Sequence, residues 1–208
     1  MNANAVVLVG AAAFAEEITD LCHMAGIRVA GWIEGLDPAR ADAAVDPPIV
    51  WVDDQADLEP ALPILPAIGA VARRGIVERL MGEGRSLATF VHPSAVVAPS
   101  AIVEPGCVIF PNVVIGARTR VGRGTIVNRG ALIGHHASIG AFAFIGPGAN
   151  VAGRVRIGDM AYVAIGAIVR DDLTVGDGAT IGAGAVAVRD VEVGTTVVGI
   201  PARPLERR

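Results

Sequence analysis

The sequence predicts a chain of two parts: a small α/β unit with a parallel sheet over residues 1–91, then a parallel coil of short stacked strands over residues 92–208. Two patterns carry this reading. Up to about residue 90, strand-like apolar runs alternate with segments of helical periodicity; beyond it, a Val or Ile recurs at every sixth position. Composition agrees, with 52% hydrophobic residues, 4% aromatics and 26 glycines, which suits a core of small and β-branched side chains.

In the first part, AVVLV is a buried-strand run, and residues 10–13 form a turn into a helix with an expected apolar face of Phe14, Ile18, Leu21, Cys22 and Ala25. Gly26 ends that helix, and RVAGWIE reads as a second strand with Glu34 at its end. IVWV and AIGAV are the next strand candidates, residues 73–81 a second helix, and LATF a last strand. The turn GAAAFA stands where Rossmann-type domains carry glycines that let backbone amides approach a phosphate. Alanine replaces glycine at three of its positions, which makes close approach harder.

In the second part, counting by sixes from Val97 gives Val103, Ile109, Ile115, Val121, Val127, Ile133, Ile139, Ile145, Val151, Ile157, Val163, Val169, Val175 and Ile181. With roughly a quarter of the chain Val or Ile, such a run arises by chance on the order of once in a billion. A mostly small residue precedes each aliphatic by two positions, and glycine often follows it. Short strands with inward aliphatics, joined by tight corners, explain the pattern, and three hexads close a triangular coil. A helix needs a period near 3.6 and is excluded.

The net charge of -4 gives no reason to expect nucleic acid. Cys22 and Cys107 are too few for a disulfide framework, so a reducing cytoplasm is expected. The N-terminal apolar run lacks a preceding basic residue and is followed by Glu16 and Glu17, which argues for a strand and helix over a signal segment. No uninterrupted apolar stretch reaches the length of a membrane span.

Residues 128–153 read NRGALIGHHASIGAFAFIGPGANVAG, and the chain ends with GIPARPL. Together with the two-part layout, these segments resemble the bacterial hexapeptide-repeat sugar acetyltransferases, which comprise nucleotide-amino-sugar N-acetyltransferases and sialic-acid O-acetyltransferases. The resemblance covers essentially the whole chain. It implies a Rossmann-like N-terminal domain that receives a nucleotide-linked amino sugar, expected to carry UDP, and a left-handed parallel β-helix that holds acetyl-CoA between the subunits of a homotrimer. No metal is implied. His135 falls on the catalytic histidine. A histidine suits that role, because the attacking amine must shed a proton and an imidazole with an unperturbed pKa near 6.5 can take it.

The same resemblance implies that Phe144, Gly153, Ile165 and Ala183 meet acetyl-CoA, and that Gly10, Ala12, Ala13, Phe14, Glu34, Gly35 and Ile68 line the sugar-nucleotide site; beside His135, a neutral His136 is a candidate hydrogen-bond acceptor with weak electrostatic help to give, and Asn128 is a candidate for holding His135 or the substrate. Three positions depart from the family pattern. His136 stands where a carboxylate is usual and cannot supply its negative charge; Phe144 and Phe14 stand where histidines are usual. A stacking period of 18 puts Arg118 and Arg154 below and above His136, so electropositive surroundings are expected, and it sets Tyr162 over Phe144 as an aromatic pair. Arg189 and Arg203 are candidates for CoA phosphates. An O-acetyltransferase or a non-catalytic hexapeptide scaffold remains open. A zinc enzyme with three convergent histidines does not fit the placement of His23, His92, His135 and His136.

Overall fold

The structure is a computed structural model that describes residues 4–69 and 72–205. The chain divides into two compact units, Met1–Phe90 and Val91–Arg208.

The first unit is built on a four-stranded parallel sheet in the order β3-β2-β1-β4, formed by β1 (Ala5–Val9), β2 (Arg28–Glu34), β3 (Ile49–Trp51) and β4 (Ile64–Pro66). Val6 to Val9 are all buried, as a central parallel strand requires. Helix α1 (Ala13–Met24) buries Ala15, Ile18, Thr19, Leu21 and Cys22. Its face is therefore turned from the expected one: Phe14 is half-buried and Ala25 lies at the C-cap, while Ala15 and Thr19 take the core. Thr19 tolerates burial because its hydroxyl donates to the Ala15 carbonyl at 2.9 Å and accepts from Trp32 Nε1 at 3.1 Å.

The expected strand AIGAV is also corrected. The ladder runs through Ile64–Pro66, with Val7 opposite Ile64 and Val9 opposite Pro66, and Ala67 N–H closes on the Val9 carbonyl at 2.8 Å. Residues 70 and 71 lie outside the described residues. Pro63 precedes this strand and Pro66 is its last residue, which argues against a central strand; β4 is the last strand of the sheet, and the N–H that Pro66 lacks would face away from β1, where it costs no bond to that strand. Helix α2 (Arg73–Gly82) follows where the second helix is expected. Of LATF, Phe90 joins a two-residue strand, and Leu87 makes only an isolated bridge to Ile64.

The second unit stacks two-residue strands into parallel sheets that belong to five-, six- and eight-stranded ladders. Strands pair with their neighbours one coil away, for example Arg120 with Ser138 and Val121 with Ile139. From Ile109 to Ile181 the repeated aliphatics are buried, and so are the small residues two positions earlier. Each coil therefore sends two side chains inward per hexad, one large and one small. At its end Arg203–Pro204 reverses to pair antiparallel with Thr196–Val198.

The corners separate two uses of glycine that sequence alone merges. Glycines directly after the aliphatic have no room for a side chain: a methyl on Gly140 would stand 2.4 Å from the Gly158 carbonyl carbon. The left-handed residue of the turn comes two positions later, and there glycines alternate with Asn112, Arg118, His136, Phe142, Arg154, Met160 and Asp172, all at φ between 54° and 61°.

Candidate active site

In the first unit a cavity of about 90 Å³ opens at the carboxyl ends of β1, β2 and β4. This is where the strand order reverses, the usual ligand crevice of an open parallel sheet. Gly10, Ala12, Phe14, Glu34 and Ile68 line it together with Ala11, Leu36, Arg40, Ala67 and Gly69. Gly10 must be glycine, because its φ is 126° and a methyl would meet the Ala67 carbonyl oxygen at 2.7 Å. Of the other expected residues, Ala13 is exposed at the start of α1, and Gly35 packs against Ile76, whose Cδ1 would stand 2.9 Å from an added methyl.

Glu34 is 2% exposed, and its Oε1 accepts from the N–H groups of Gly35, Leu36 and Asp37 at 3.0, 2.7 and 3.2 Å. The carboxylate thus folds the loop after β2 around itself. Its Oε2 lies 4.0 Å from Nη1 of Arg40, which also meets Asp37 at 3.5 Å. Arg40 brings positive charge to this cavity, and sequence reading missed it; the only signal was a lone arginine in PAR, three residues past the turn.

In the second unit His135 and His136 occupy the corner after Leu132–Ile133, both exposed. Their Nδ1 atoms are 3.0 Å apart, with ring centroids at 5.2 Å and planes at 87°. The His135 ring lies over Gly153 of the next coil: a methyl there would be 2.9 Å from both Cε1 and Nε2. The Arg154 N–H donates to the His135 carbonyl at 2.9 Å, and the His136 N–H to the Ala117 carbonyl at 2.8 Å, so the corner is tied to the coils on both sides.

His136, Arg154, Arg156, Asp172 and Thr174 line an open cavity of about 330 Å³. The expected electropositive surroundings also hold acidic groups. Arg154 binds Asp172 through Nε and Nη2, both at 2.6 Å, and reaches Asp171 at 3.4 Å. The Arg154 hydrogen bond holds the Asp172 carboxyl below its usual range, and that carboxylate raises the Arg154 guanidinium in turn. Two carboxylates therefore offset the charge that the arginine column brings.

The remaining expected residues lie on a different edge. Asn128 and its successors follow the strand Ile126–Val127 of the eight-stranded sheet, one corner before His135. Asn128 is 3% exposed, and its Oδ1 accepts from Arg129 N–H at 2.8 Å, closing its own turn. Within one chain it does not hold His135. Ile165 and Ala183, both exposed, follow Tyr162–Val163 and Thr180–Ile181 on that same edge. Phe144 lies on the sheet leading to it, stacked on Tyr162 at 4.9 Å and 5°. Arg189 and Arg203 line a separate groove of about 270 Å³ with Asp190 and Glu192. Among the described residues no group of three or more His, Cys, Asp or Glu side chains is placed to hold a metal ion, and no helix is long and apolar enough to cross a membrane.

The sequence matches no family model and no curated protein. Solved structures match it along its length. Perosamine N-acetyltransferase from Caulobacter crescentus, a variant solved with CoA and GDP-perosamine, is 30% identical, with a TM-score of 0.88 over 98% of this chain and 97% of that one. WeeI from Acinetobacter baumannii AYE is 25% identical, with a TM-score of 0.86 over 96% and 99%. The acetyltransferase domain of PglB from Neisseria gonorrhoeae FA1090, solved with acetyl coenzyme A, is 34% identical, with a TM-score of 0.88 over 98% and 100%. Sharing both sequence and fold with the two acetyltransferases from end to end, the chain belongs to the hexapeptide-repeat sugar acetyltransferases.

Proposed function

We propose that this protein transfers the acetyl group of acetyl-CoA to the amino group of a nucleoside-diphosphate amino sugar, with His135 as general base. What carries the reading is the seating of the His135 ring on Gly153 at an exposed corner, in a chain alike throughout to enzymes solved with CoA, acetyl-CoA or GDP-perosamine. The sugar nitrogen attacks the thioester carbonyl carbon, and its proton passes to Nε2 of His135. The C–S bond then breaks, and the departing thiolate recovers that proton. Backbone N–H groups of the corners are available to the oxyanion. Transfer is direct, since neither thiol suits an acyl-enzyme: burial pushes Cys22 up to about 12, and the buried Cys107 Sγ donates to the Gly122 carbonyl at 3.1 Å.

In this reading the first unit is a Rossmann-like domain whose cavity takes the sugar nucleotide, with Arg40 toward the diphosphate, and the second is a left-handed β-helix. Asn128, Phe144, Ile165 and Ala183 meet the acetyl-CoA bound against His135 and Gly153 only if a neighbouring copy supplies the other edge. A homotrimer does this. On one outward ladder Val96, Val114, Leu132 and Ile168 are exposed in a single chain, with Asn150 between the last two, and an interface between copies would bury them. Two free thiols and a CoA substrate fit a cytoplasmic enzyme.

Thermal unfolding against acetyl-CoA, CoA, GDP and UDP is the direct test. Ligand at about a hundredfold above Kd adds about 2.7 kcal/mol, a shift that a melting curve resolves. Acetyl-CoA is expected to stabilise the protein, and the better of GDP and UDP selects the sugar nucleotides for a thiol-release assay. His135→Ala is expected to abolish transfer with Tm within a few degrees of wild type. No shift with acetyl-CoA would sink the transferase reading in favour of a scaffold.

A further inference from the structure

The two imidazoles at the corner meet nitrogen to nitrogen, and this restricts where their protons can be. A hydrogen bond between Nδ1 atoms 3.0 Å apart holds one proton, carried by one ring and accepted by the other. If His136 carried it, His135 would have to use its Nδ1 lone pair to accept, and its Nε2 would hold the remaining proton. His135 would then have no free nitrogen with which to act as a base. If His135 carries it, the Nε2 lone pair beside Gly153 is free. Resting on the proposed role of His135, we propose that His136 is a positioning residue whose Nδ1 accepts the Nδ1–H of His135 and so fixes the tautomer with Nε2 ready to take the substrate proton.

His136 thereby does with a neutral ring what a carboxylate does with a charged one. When the amine proton reaches His135 Nε2, the bond between the rings becomes charge-assisted and strengthens. A second extra proton on the pair would set N–H against N–H across 3.0 Å. The charged groups lining the cavity beside His136 are Arg154, Arg156 and Asp172, with Arg118 one coil below in the same column; Arg154 and Asp172 satisfy one another.

The corner itself supplies clean variants. His136 has φ 57°, a conformation taken at the equivalent turn position by Gly148, by Asn112 and by Asp172. His136→Gly therefore fits the backbone and removes the acceptor, while His136→Asn fits and offers an oxygen in its place. With only four histidines in the chain, ¹⁵N spectra of histidine-labelled protein report the tautomer of each ring. The expected result is an Nδ1–H tautomer for His135 in wild type and in His136→Asn, and a shift to the Nε2–H form that free histidine prefers in His136→Gly. Loss of the positioning contact should lower kcat about 10²-fold in His136→Gly without lowering Tm, and His136→Asn should recover activity relative to it. An Nε2–H tautomer for His135 in wild type, or an unchanged tautomer and kcat in His136→Gly, overturns the proposal. Full transfer by His135→Ala would instead remove the base reading, whatever the spectra show.

Discussion

At the carboxyl ends of β1, β2 and β4 the cavity is shaped by one buried side chain, Glu34, whose Oε1 gathers three backbone N–H groups. At the β-helix corner the arrangement is reversed: His135 is exposed, and it is placed by backbone, with Gly153 beneath its ring and a carbonyl tied to Arg154 N–H. The first site depends on a single ion and should fail locally. The second depends on how closely coils stack, a property repeated along the whole unit, so damage at a corner can reach either the fold or the chemistry. Substitutions at glycines separate the two.

The largest effect on stability is expected at Gly140→Ala. An added methyl would stand 2.4 Å from the Gly158 carbonyl carbon and 2.5 Å from Asp159 N, both backbone atoms that cannot swing aside. A cost of about 3 kcal/mol is expected from such overpacking. At Gly148 nothing lies within 4 Å of the added carbon, and only its φ of 61° opposes alanine, so Gly148→Ala should cost about 1 kcal/mol. Denaturant unfolding of the two variants measures the difference. Equal costs would show that coil spacing is softer than these contacts imply.

Gly153→Ala tests the same packing where the obstacle is the His135 ring, with Cε1 and Nε2 2.9 Å from the new methyl. A side chain can rotate away, so stability should change little while the His135 ring is displaced. We expect kcat to fall about 10²-fold with Tm within a few degrees. Unchanged kcat would mean that the seat under His135 does not set its working position.

The β-helix was legible in the sequence because every coil repeats the same demand, and fifteen aliphatics in register leave no other period. The first unit was legible where one element settles its own face: AVVLV and RVAGWIE became β1 and β2 over their full lengths. It was misread where a neighbour decides. Thr19 enters the core only because Trp32 and Ala15 satisfy its hydroxyl, and ILP is a strand only because β4 lies at an edge. Of the candidate site, the corner holding His135 followed from the repeat, but the bond between the histidines and the Arg154 pairing with Asp172 depend on side-chain directions that spacing does not give. Asn128, seven residues from His135, follows a strand on another side of the triangle, so one chain does not bring the two together.

Glu34→Gln should have a smaller effect, confined to the first unit. The amide keeps an oxygen for some of the three N–H groups but loses the charge that strengthens them and the attraction to Arg40. A loss of about 1 kcal/mol in stability and a raised KM for the sugar nucleotide are expected, with the KM for acetyl-CoA unchanged. A matching rise in the acetyl-CoA KM would break the separation of the two sites.

The smallest effect is expected at Asp172→Asn, and its sign can be worked out in advance. The hydrogen bond from Arg154 holds the Asp172 carboxyl below its usual range, so folding favours the ionised form. The stabilisation is present above the unfolded-state value near 3.9 and is lost as pH falls through the lower folded-state value. Because the pair is exposed, Asp172→Asn should lower Tm only slightly at pH 7, and the two melting curves should converge in acid as the wild-type carboxyl is protonated. The same change leaves Arg154 without its bidentate partner in the cavity beside His136, which adds positive potential at the corner. Lower kcat with a nearly unchanged Tm at pH 7 would therefore place Asp172 among the groups that tune the histidines, whereas a fall in Tm with kcat intact would confine it to holding the coils together.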